Sequence, residues 1–161
     1  MAGGNVNVSG TLVEYNSATG SSTPSNAYGG GFAVFGGTVN LSGDFIESNA
    51  ATGGSNADGR YPGGSAFGGG LYVRAGTVTL CNDTVESNTA TGGTGSNGSA
   101  NGQGFGGGIF IASGATVYID VSSVDPVDPT VVNNNTDSSG TSTTPDSSTA
   151  NIDGTYIAQN C

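Results

Sequence analysis

The 161-residue sequence is poor in the residues that usually carry out acid–base and metal chemistry. It contains no histidine, no tryptophan and one methionine, and its only basic residues are Arg60 and Arg74. Charged residues make up 9% of the chain, well below the ~25% typical of soluble domains. The net charge is −10. It disfavours nucleic acid and anionic membranes as partners, because both require clustered lysine or arginine.

Long apolar runs are also missing. No segment approaches the ~20 apolar residues of a membrane span, and the start of the chain lacks the regions of a signal peptide. We therefore expect no membrane insertion and interpret the chain as a mature form, a fragment or a protein exported by another route. Cys81 and Cys161 form no zinc-binding pattern. Two free thiols and a disulfide within or between subunits are the alternatives.

Glycine is abundant, with 31 residues, and it marks an internal repeat. Three segments start with Gly-Gly-Gly and an apolar alternation, at residues 29, 68 and 106. A second alternating run follows at a constant offset, at residues 38–41, 77–80 and 116–119, and a third run closes each unit. Such short runs are stable only when successive units stack ~4.8 Å apart and each strand pairs with its copies.

The repeat predicts an all-β chain that folds as a right-handed parallel β-helix, or β-solenoid. We expect about four coils of three short strands around a narrow apolar core, with loops rich in Gly, Ser, Asn and Thr leaving from one corner. Residues 1–161 form a single domain in this interpretation. It comprises an incomplete first coil at 1–20, coils from 29, 68 and 106, and a C-terminal strand at 151–158.

Two motifs of the repeat resemble those of known surface proteins. They are Gly69-Gly70-Leu71-Tyr72 with its copies, and Phe45-Ile46-Glu47-Ser48-Asn49. The chain resembles bacterial surface proteins with right-handed parallel β-helix repeats, and it is similar to the passenger repeats of chlamydial polymorphic outer-membrane proteins. Those repeats carry Gly-Gly-Ala/Gly-apolar and Phe-x-x-Asn motifs, although the Phe-to-Asn spacing is one residue longer here. The resemblance implies an extracellular or cell-surface location and a structural, adhesive or scaffolding role.

Stacking of coils would place equivalent polar residues in columns. One column is an asparagine ladder, interpreted as structural, because stacked amides satisfy one another. Its members are Asn16, Asn49, Asn88 and Asn135.

A second set is acidic. Stacked carboxylates repel one another unless they are solvated, protonated or bridged by a cation. A solvated acidic face and a weak calcium site are therefore the alternatives, and weakly bound calcium is the one cofactor considered. The candidate metal ligands are Glu14, Glu47, Glu86, Asp44 and Asp83.

No catalytic centre is expected. A polysaccharide lyase needs a basic residue beside the uronate, whereas Arg60 lies in a loop and Arg74 stands alone. A hydrolase needs a defined pair of carboxylates, whereas the acids here are spread by the repeat. We therefore predict that the chain is not an enzyme.

The two ends suggest self-assembly. The first unit lacks its Gly-Gly-Gly run, and residues 151–158 resemble a first-type strand with nothing after it. Residues 154–157 of one copy and 3–6 of the next would then complete one coil. We predict a head-to-tail homopolymer that acts as a structural subunit of an extracellular filament or sheath. The predicted interface contains Val6, Val8, Thr155, Tyr156, Ile157 and Cys161.

Two other functions fit the same pattern. The chain could be a fragment of a larger surface adhesin or autotransporter-like passenger, whose neighbouring coils cover both ends. It could also be a carbohydrate-binding or ice-binding module, since Thr38, Thr77 and Thr116 align on one outer face. The Ser-, Thr- and Asn-rich loops are candidate glycan attachment sites, and sequons begin at Asn82 and Asn97.

Overall fold

The computed structural model describes residues 3–21, 24–56, 61–121, 130–137, 140–141 and 151–161. All regular elements within these ranges are β-strands. Accordingly, this part of the chain contains no helix long and apolar enough to cross a membrane.

The strands follow one another in five successive coils, the first and last of which contain fewer strands. The first coil contains β1 (Asn5–Ser9), β2 (Leu12–Glu14) and β3 (Ser17–Thr19). The second contains β4 (Ala27–Tyr28), β5 (Phe32–Val34), β6 (Thr38–Ser42), β7 (Phe45–Glu47) and β8 (Ala50–Thr52). The third contains β9 (Ala66–Phe67), β10 (Leu71–Val73), β11 (Gly76–Cys81), β12 (Thr84–Glu86) and β13 (Thr89–Thr91).

The last two coils follow the same order. The fourth contains β14 (Gly104–Phe105), β15 (Ile109–Ile111), β16 (Ala115–Asp120), β17 (Val131–Asn133), β18 (Thr136–Asp137) and β19 (Gly140–Thr141). The fifth contains β20 (Ile152–Asp153) and β21 (Ile157–Gln159).

Equivalent strands of successive coils pair in parallel and form five sheets, which we label A to E. Sheet A contains β1, β6, β11, β16 and β21; sheet B contains β2, β7, β12 and β17. Sheet C contains β3, β8, β13 and β18, with β19 antiparallel at its edge. Sheet D contains β4, β9 and β14, and sheet E contains β5, β10, β15 and β20. Parallel sheets stacked in register fit a β-solenoid.

The prediction of three strands per coil is wrong, because a full coil contributes to five sheets. The strands that the sequence pattern did not predict belong to sheets C and D. They are only two or three residues long, as in Ala50–Thr52 and Ala66–Phe67. Their inward-facing residues are mostly alanine beside small polar residues, so the apolar–polar contrast is weak and a pattern search assigns these runs to loops.

The interior is divided into two apolar cores. The larger one lies beneath sheets E, A and B and is made of branched aliphatic side chains such as Leu80 and Ile119. The smaller one lies between sheets C and D and is made of alanine. Its members are Ala27, Ala51, Ala66 and Ala90.

The two cores are separated by a narrow region, which we call the waist. In it the glycine triplets that start at Gly29, Gly68 and Gly106 lie against the asparagine column. A methyl group on Gly69 would overlap the backbone of Thr89 and the carbonyl of Gly107, and a methyl group on Gly70 would lie 2.9 Å from Asn88 Nδ2. Only a residue without a side chain allows this approach. The Gly-Gly-Gly motif therefore recurs because each coil crosses the asparagine ladder at this point.

At the corner between sheets B and C, the turn contains one residue with positive φ in each of the first four coils. These residues are Tyr15, Ser48, Ser87 and Asn134, with φ of 54°, 55°, 56° and 51°. Asparagine and small polar residues tolerate this left-handed conformation better than branched ones. Because the turn falls at the same position each time, the residue that follows it is stacked on its copies.

The C-terminal segment differs from the prediction of one strand at 151–158. Gly154, with φ of 123°, divides it into β20, which pairs with β15, and β21, which pairs with β16. Ile157 therefore lies in sheet A, the sheet that also contains Val6. The prediction that residues 154–157 and 3–6 complete one coil is wrong, because both segments belong to the same sheet.

Candidate functional site

The asparagine ladder runs along the corner between sheets B and C. Asn16, Asn49, Asn88 and Asn135 are stacked as their spacing predicts, and Asn151 extends the column. Each Oδ1 accepts hydrogen bonds from the backbone N–H and the Nδ2 of the preceding member, at 2.9–3.3 Å. Asn49, Asn88, Asn135 and Asn151 are buried. The amide groups of these four residues bond within the fold, whereas Asn16 at the first end of the ladder is exposed.

Asp44 and Asp83 form a similar column at the corner between sheets A and B. Asp44 Oδ1 accepts the backbone N–H of Thr11 at 2.7 Å and Asp83 Oδ1 accepts that of Asp44 at 2.7 Å. The second oxygen of Asp83 accepts the N–H of Cys81 at 2.9 Å. Both carboxyl groups are fully buried. They bind backbone amides of the corner, which explains their position without a cation.

The glutamates predicted to share a calcium site lie elsewhere. Glu14, Glu47 and Glu86 pair with one another across sheet B and face outward, away from the corner that holds Asp44 and Asp83. No group of three or more acidic, cysteine or histidine side chains in the described residues is placed to hold a metal ion. The predicted calcium set is not assembled there.

The pKa of Asp83 is raised from 3.8 to about 7, chiefly by burial and also by the nearby Asp44 carboxylate, while hydrogen bonds from backbone N–H groups oppose the shift. Since the folded-state pKa exceeds the unfolded one, the folded chain binds more protons between about pH 4 and pH 7. This contribution to stability is complete below about pH 4 and is lost as the pH rises through about 7.

We expect the free energy of unfolding to fall by up to a few kcal/mol between pH 4.5 and pH 8, measured by urea denaturation. The Asp83→Asn variant should be less stable overall but should lose most of this slope above pH 5.5. Protonation of the other acidic residues relieves the repulsion due to the net charge of −10 in both proteins. The difference between their slopes of unfolding free energy against pH therefore reports on Asp83. Equal slopes above pH 5.5 would contradict the assignment.

A disulfide joins Cys81 to Cys161, with the two Cα atoms 5.9 Å apart. It fastens the chain after β21 to the end of β11, two coils away in sheet A. Gln159 Nε2 lies 3.3 Å from Cys161 Sγ. Of the alternatives left open by the sequence, the structure therefore has the disulfide within one chain, and neither cysteine is free. A closed loop spanning 80 residues corresponds to roughly 4 kcal/mol of loop-closure entropy.

The other residues predicted at an assembly interface lie near the two end faces of sheet A. Val6 is 39% exposed and Val8 packs partly on the large core. Tyr156 also packs on that core, whereas Thr155 and Ile157 are exposed. The structure brings the two groups to opposite ends of one sheet.

An aromatic strip, which the sequence analysis did not predict, runs along sheets D and E. Tyr28, Phe67 and Phe105 stack in one column, with ring centroids 5.5 and 5.1 Å apart and interplanar angles of 11° and 12°. Tyr72 and Phe110 stack in the next column at 5.7 Å. Phe35 completes the strip through an edge contact with Tyr72 at 5.7 Å. Burial raises the pKa of Tyr72 at the centre of these rings.

A sequence signal for the strip exists. An aromatic residue precedes each glycine triplet, at Tyr28, Phe67 and Phe105. Two residues before each ring lies a polar one on the same strand face, namely Asn26, Ser65 and Gln103.

A depression of about 400 Å³ lies between the turn at residues 111–115 and residues 154–155. None of its lining side chains is titratable, and Ser113 and Thr155 supply its hydroxyl groups. The geometry offers no general acid or base at this position.

Comparison of the chain with protein families, curated proteins and solved structures finds no significant match. The resemblance to bacterial β-helix surface proteins therefore rests on the repeat motifs alone.

Proposed function

We propose that this chain is a non-catalytic structural β-solenoid of the cell surface or extracellular space that associates end to end with copies of itself. We infer that its coils wind to the right, because connections between parallel strands of one sheet are right-handed in about 98% of cases. The single observation that carries the proposal is that sheet A has a strand at both end faces, β1 and β21.

The interior of sheet A supports this proposal. One residue from each of its five strands faces the large core, and these residues pair across neighbouring strands to form a column. The residues at the two ends of the column are less buried than those between them. The column contains Val8, Leu41, Leu80, Ile119 and Ala158. A second copy stacked on either end would continue the column and would satisfy the free backbone groups of an edge strand.

The contact would be limited in area. Because both ends contribute a strand to sheet A, β21 of one copy would meet β1 of the next. Among the described residues, sheets B and E would each lack one strand at the junction, and sheet D would lack two. We therefore expect a weak association that depends on protein concentration. The net charge of −10 opposes it, so added salt should strengthen it by screening.

The disulfide favours an extracellular location, since disulfides persist mainly in oxidising compartments. A membrane-spanning role is not proposed. We also propose no enzymatic activity, in view of the buried, amide-bound carboxyl groups of Asp44 and Asp83.

The proposal is tested by sedimentation velocity over a range of concentrations, combined with negative-stain electron microscopy. The wild-type protein should form oligomers or short rods at high concentration, more so at 150 mM than at 10 mM salt. Val6→Lys places a charge on the end face and should shift the protein toward monomers by about tenfold in concentration.

The matched control is Asn7→Lys. It adds the same charge one residue away, but on the outer face of sheet A, where Asn7 accepts a hydrogen bond from Asn40 at 2.8 Å. It should assemble like the wild type. A wild-type protein that stays monomeric at all concentrations, or two variants that behave alike, would contradict end-to-end association.

A further inference from the structure

We propose that the aromatic strip binds a neutral polysaccharide, through its end at Tyr28, Phe35 and Tyr72. This inference does not rest on end-to-end association, because the rings lie on sheets D and E whereas the observation that carries that proposal concerns sheet A.

The end of the strip differs from the rest because of one small residue. Ala33 pairs with Tyr72 in sheet E, at the position that carries a ring in the next two coils. Tyr72 is therefore stacked on Phe110 on one side only. On the other side it is flanked by Tyr28 at 4.8 Å and Phe35 at 5.7 Å.

These two flanking rings are the most accessible of the strip. Tyr28 is 37% and Phe35 41% exposed, whereas Tyr72 between them is 6% exposed. Further along the strip, ring faces are used by stacking between coils, as in Phe67 on Phe105. Open aromatic surface is thus concentrated at this end of the strip, on Tyr28 and Phe35.

Polar groups suited to hydroxyl recognition border the rings. Asn26 Nδ2 donates to the Tyr28 hydroxyl at 3.2 Å, and Asn26 Oδ1 accepts the backbone N–H of Ser65 at 2.8 Å. Both groups are therefore held in position. Arg74, which is exposed, lies two residues after Tyr72, directly after the end of β10. Amide, phenol and guanidinium groups can each bond to a sugar hydroxyl.

A pyranose fits this combination better than other ligands do. It presents an apolar face of C–H groups to an aromatic ring and a rim of hydroxyl groups to polar side chains. Small-ligand sites usually combine apolar and aromatic surfaces with a few polar groups in this way. A neutral sugar chain is favoured over a polyanion, because the protein itself carries a net charge of −10.

The test is co-sedimentation with insoluble cellulose, chitin and β-1,3-glucan, and the acidic comparison is affinity electrophoresis through gels that contain polygalacturonate. We use the full chain and the Val6→Lys variant, so that binding is read independently of assembly. We expect the protein to bind at least one neutral polysaccharide, and its binding to polygalacturonate to be weaker. Absence of binding to all three neutral polymers, or binding to polygalacturonate alone, would overturn the proposal.

Four variants locate the site, each checked for folding by circular dichroism and thermal melting. Phe35→Ala gives the second coil the residue that the fourth coil carries as Ala112, and it should weaken binding about tenfold. Tyr28→Ala should act similarly, whereas Tyr28→Phe, which mimics Phe67, should retain most of the binding. Tyr15→Ser removes a tyrosine that is 78% exposed outside the strip and should change nothing. If Phe35→Ala and Tyr28→Ala bind as well as Tyr15→Ser, the strip is not the site.

Discussion

Replacing Asn88 with alanine is expected to lower the free energy of unfolding by about 4 kcal/mol, a drop of roughly 10 °C in Tm. The Asn88 side chain accepts from the N–H and Nδ2 of Asn49 and donates to the carbonyl of Ile46 at 2.8 Å and to Asn135 Oδ1. In the variant the buried N–H of Asn49 would lose its acceptor, and Asn49 Nδ2 and the Ile46 carbonyl would each lose one hydrogen bond. Each such group costs about 1–3 kcal/mol. Urea denaturation followed by circular dichroism measures the change.

The control is Asn16→Ala at the exposed end of the same ladder. Asn16 Nδ2 donates to the exposed Glu14 carbonyl and to Asn49 Oδ1, which also accepts the backbone N–H of residue 16 and keeps that bond in the variant. Water can replace these bonds, so we expect a loss of under about 1 kcal/mol. If the asparagine side chains did not stabilise the fold, Asn88→Ala and Asn16→Ala would lower the free energy of unfolding by the same small amount. That result would contradict the expected loss of about 4 kcal/mol at Asn88.

Alanine at Gly69 is the second substitution with a large expected effect, about 3 kcal/mol or more. Its methyl group would meet the carbonyl of Gly107 and the backbone of Thr89, neither of which is a flexible side-chain end. Relief would require the waist to widen, which would separate the glycine triplets from the asparagine ladder. Thermal and urea denaturation measure the loss.

A second glycine provides the comparison. Gly43 has φ of 64° and no atom within 4 Å of an added Cβ. The next coil carries Asn82 at this corner, with φ of 57°. Gly43→Asn should therefore change the free energy of unfolding by under about 1 kcal/mol. If Gly69→Ala is tolerated as well as Gly43→Asn, the waist is less tightly packed than the structure indicates.

The even spacing of the acidic residues did not predict what their carboxyl groups bind. Regularly spaced carboxylates can be bridged by a cation or can accept backbone N–H groups, and spacing along the chain does not distinguish the two. The choice depends on which way each side chain points at its corner. Asp44 and Asp83 follow a residue with positive φ, Gly43 and Asn82, and point into the corner. Glu47 and Glu86 lie three residues beyond these aspartates, in sheet B, and point outward.

The sequence alone determined the all-β character, the repeat, the parallel stacking of like strands and the asparagine column. These follow from local periodicity: alternation assigns each residue to one face of its strand, and constant spacing aligns equal positions. Only the tertiary structure decided that there are five sheets and two cores, that the disulfide is within one chain, and that six rings meet in one strip. Periodicity cannot specify which strands face one another across the interior. That is settled by close approaches such as Gly69 against Thr89, which exist only once the coil has closed.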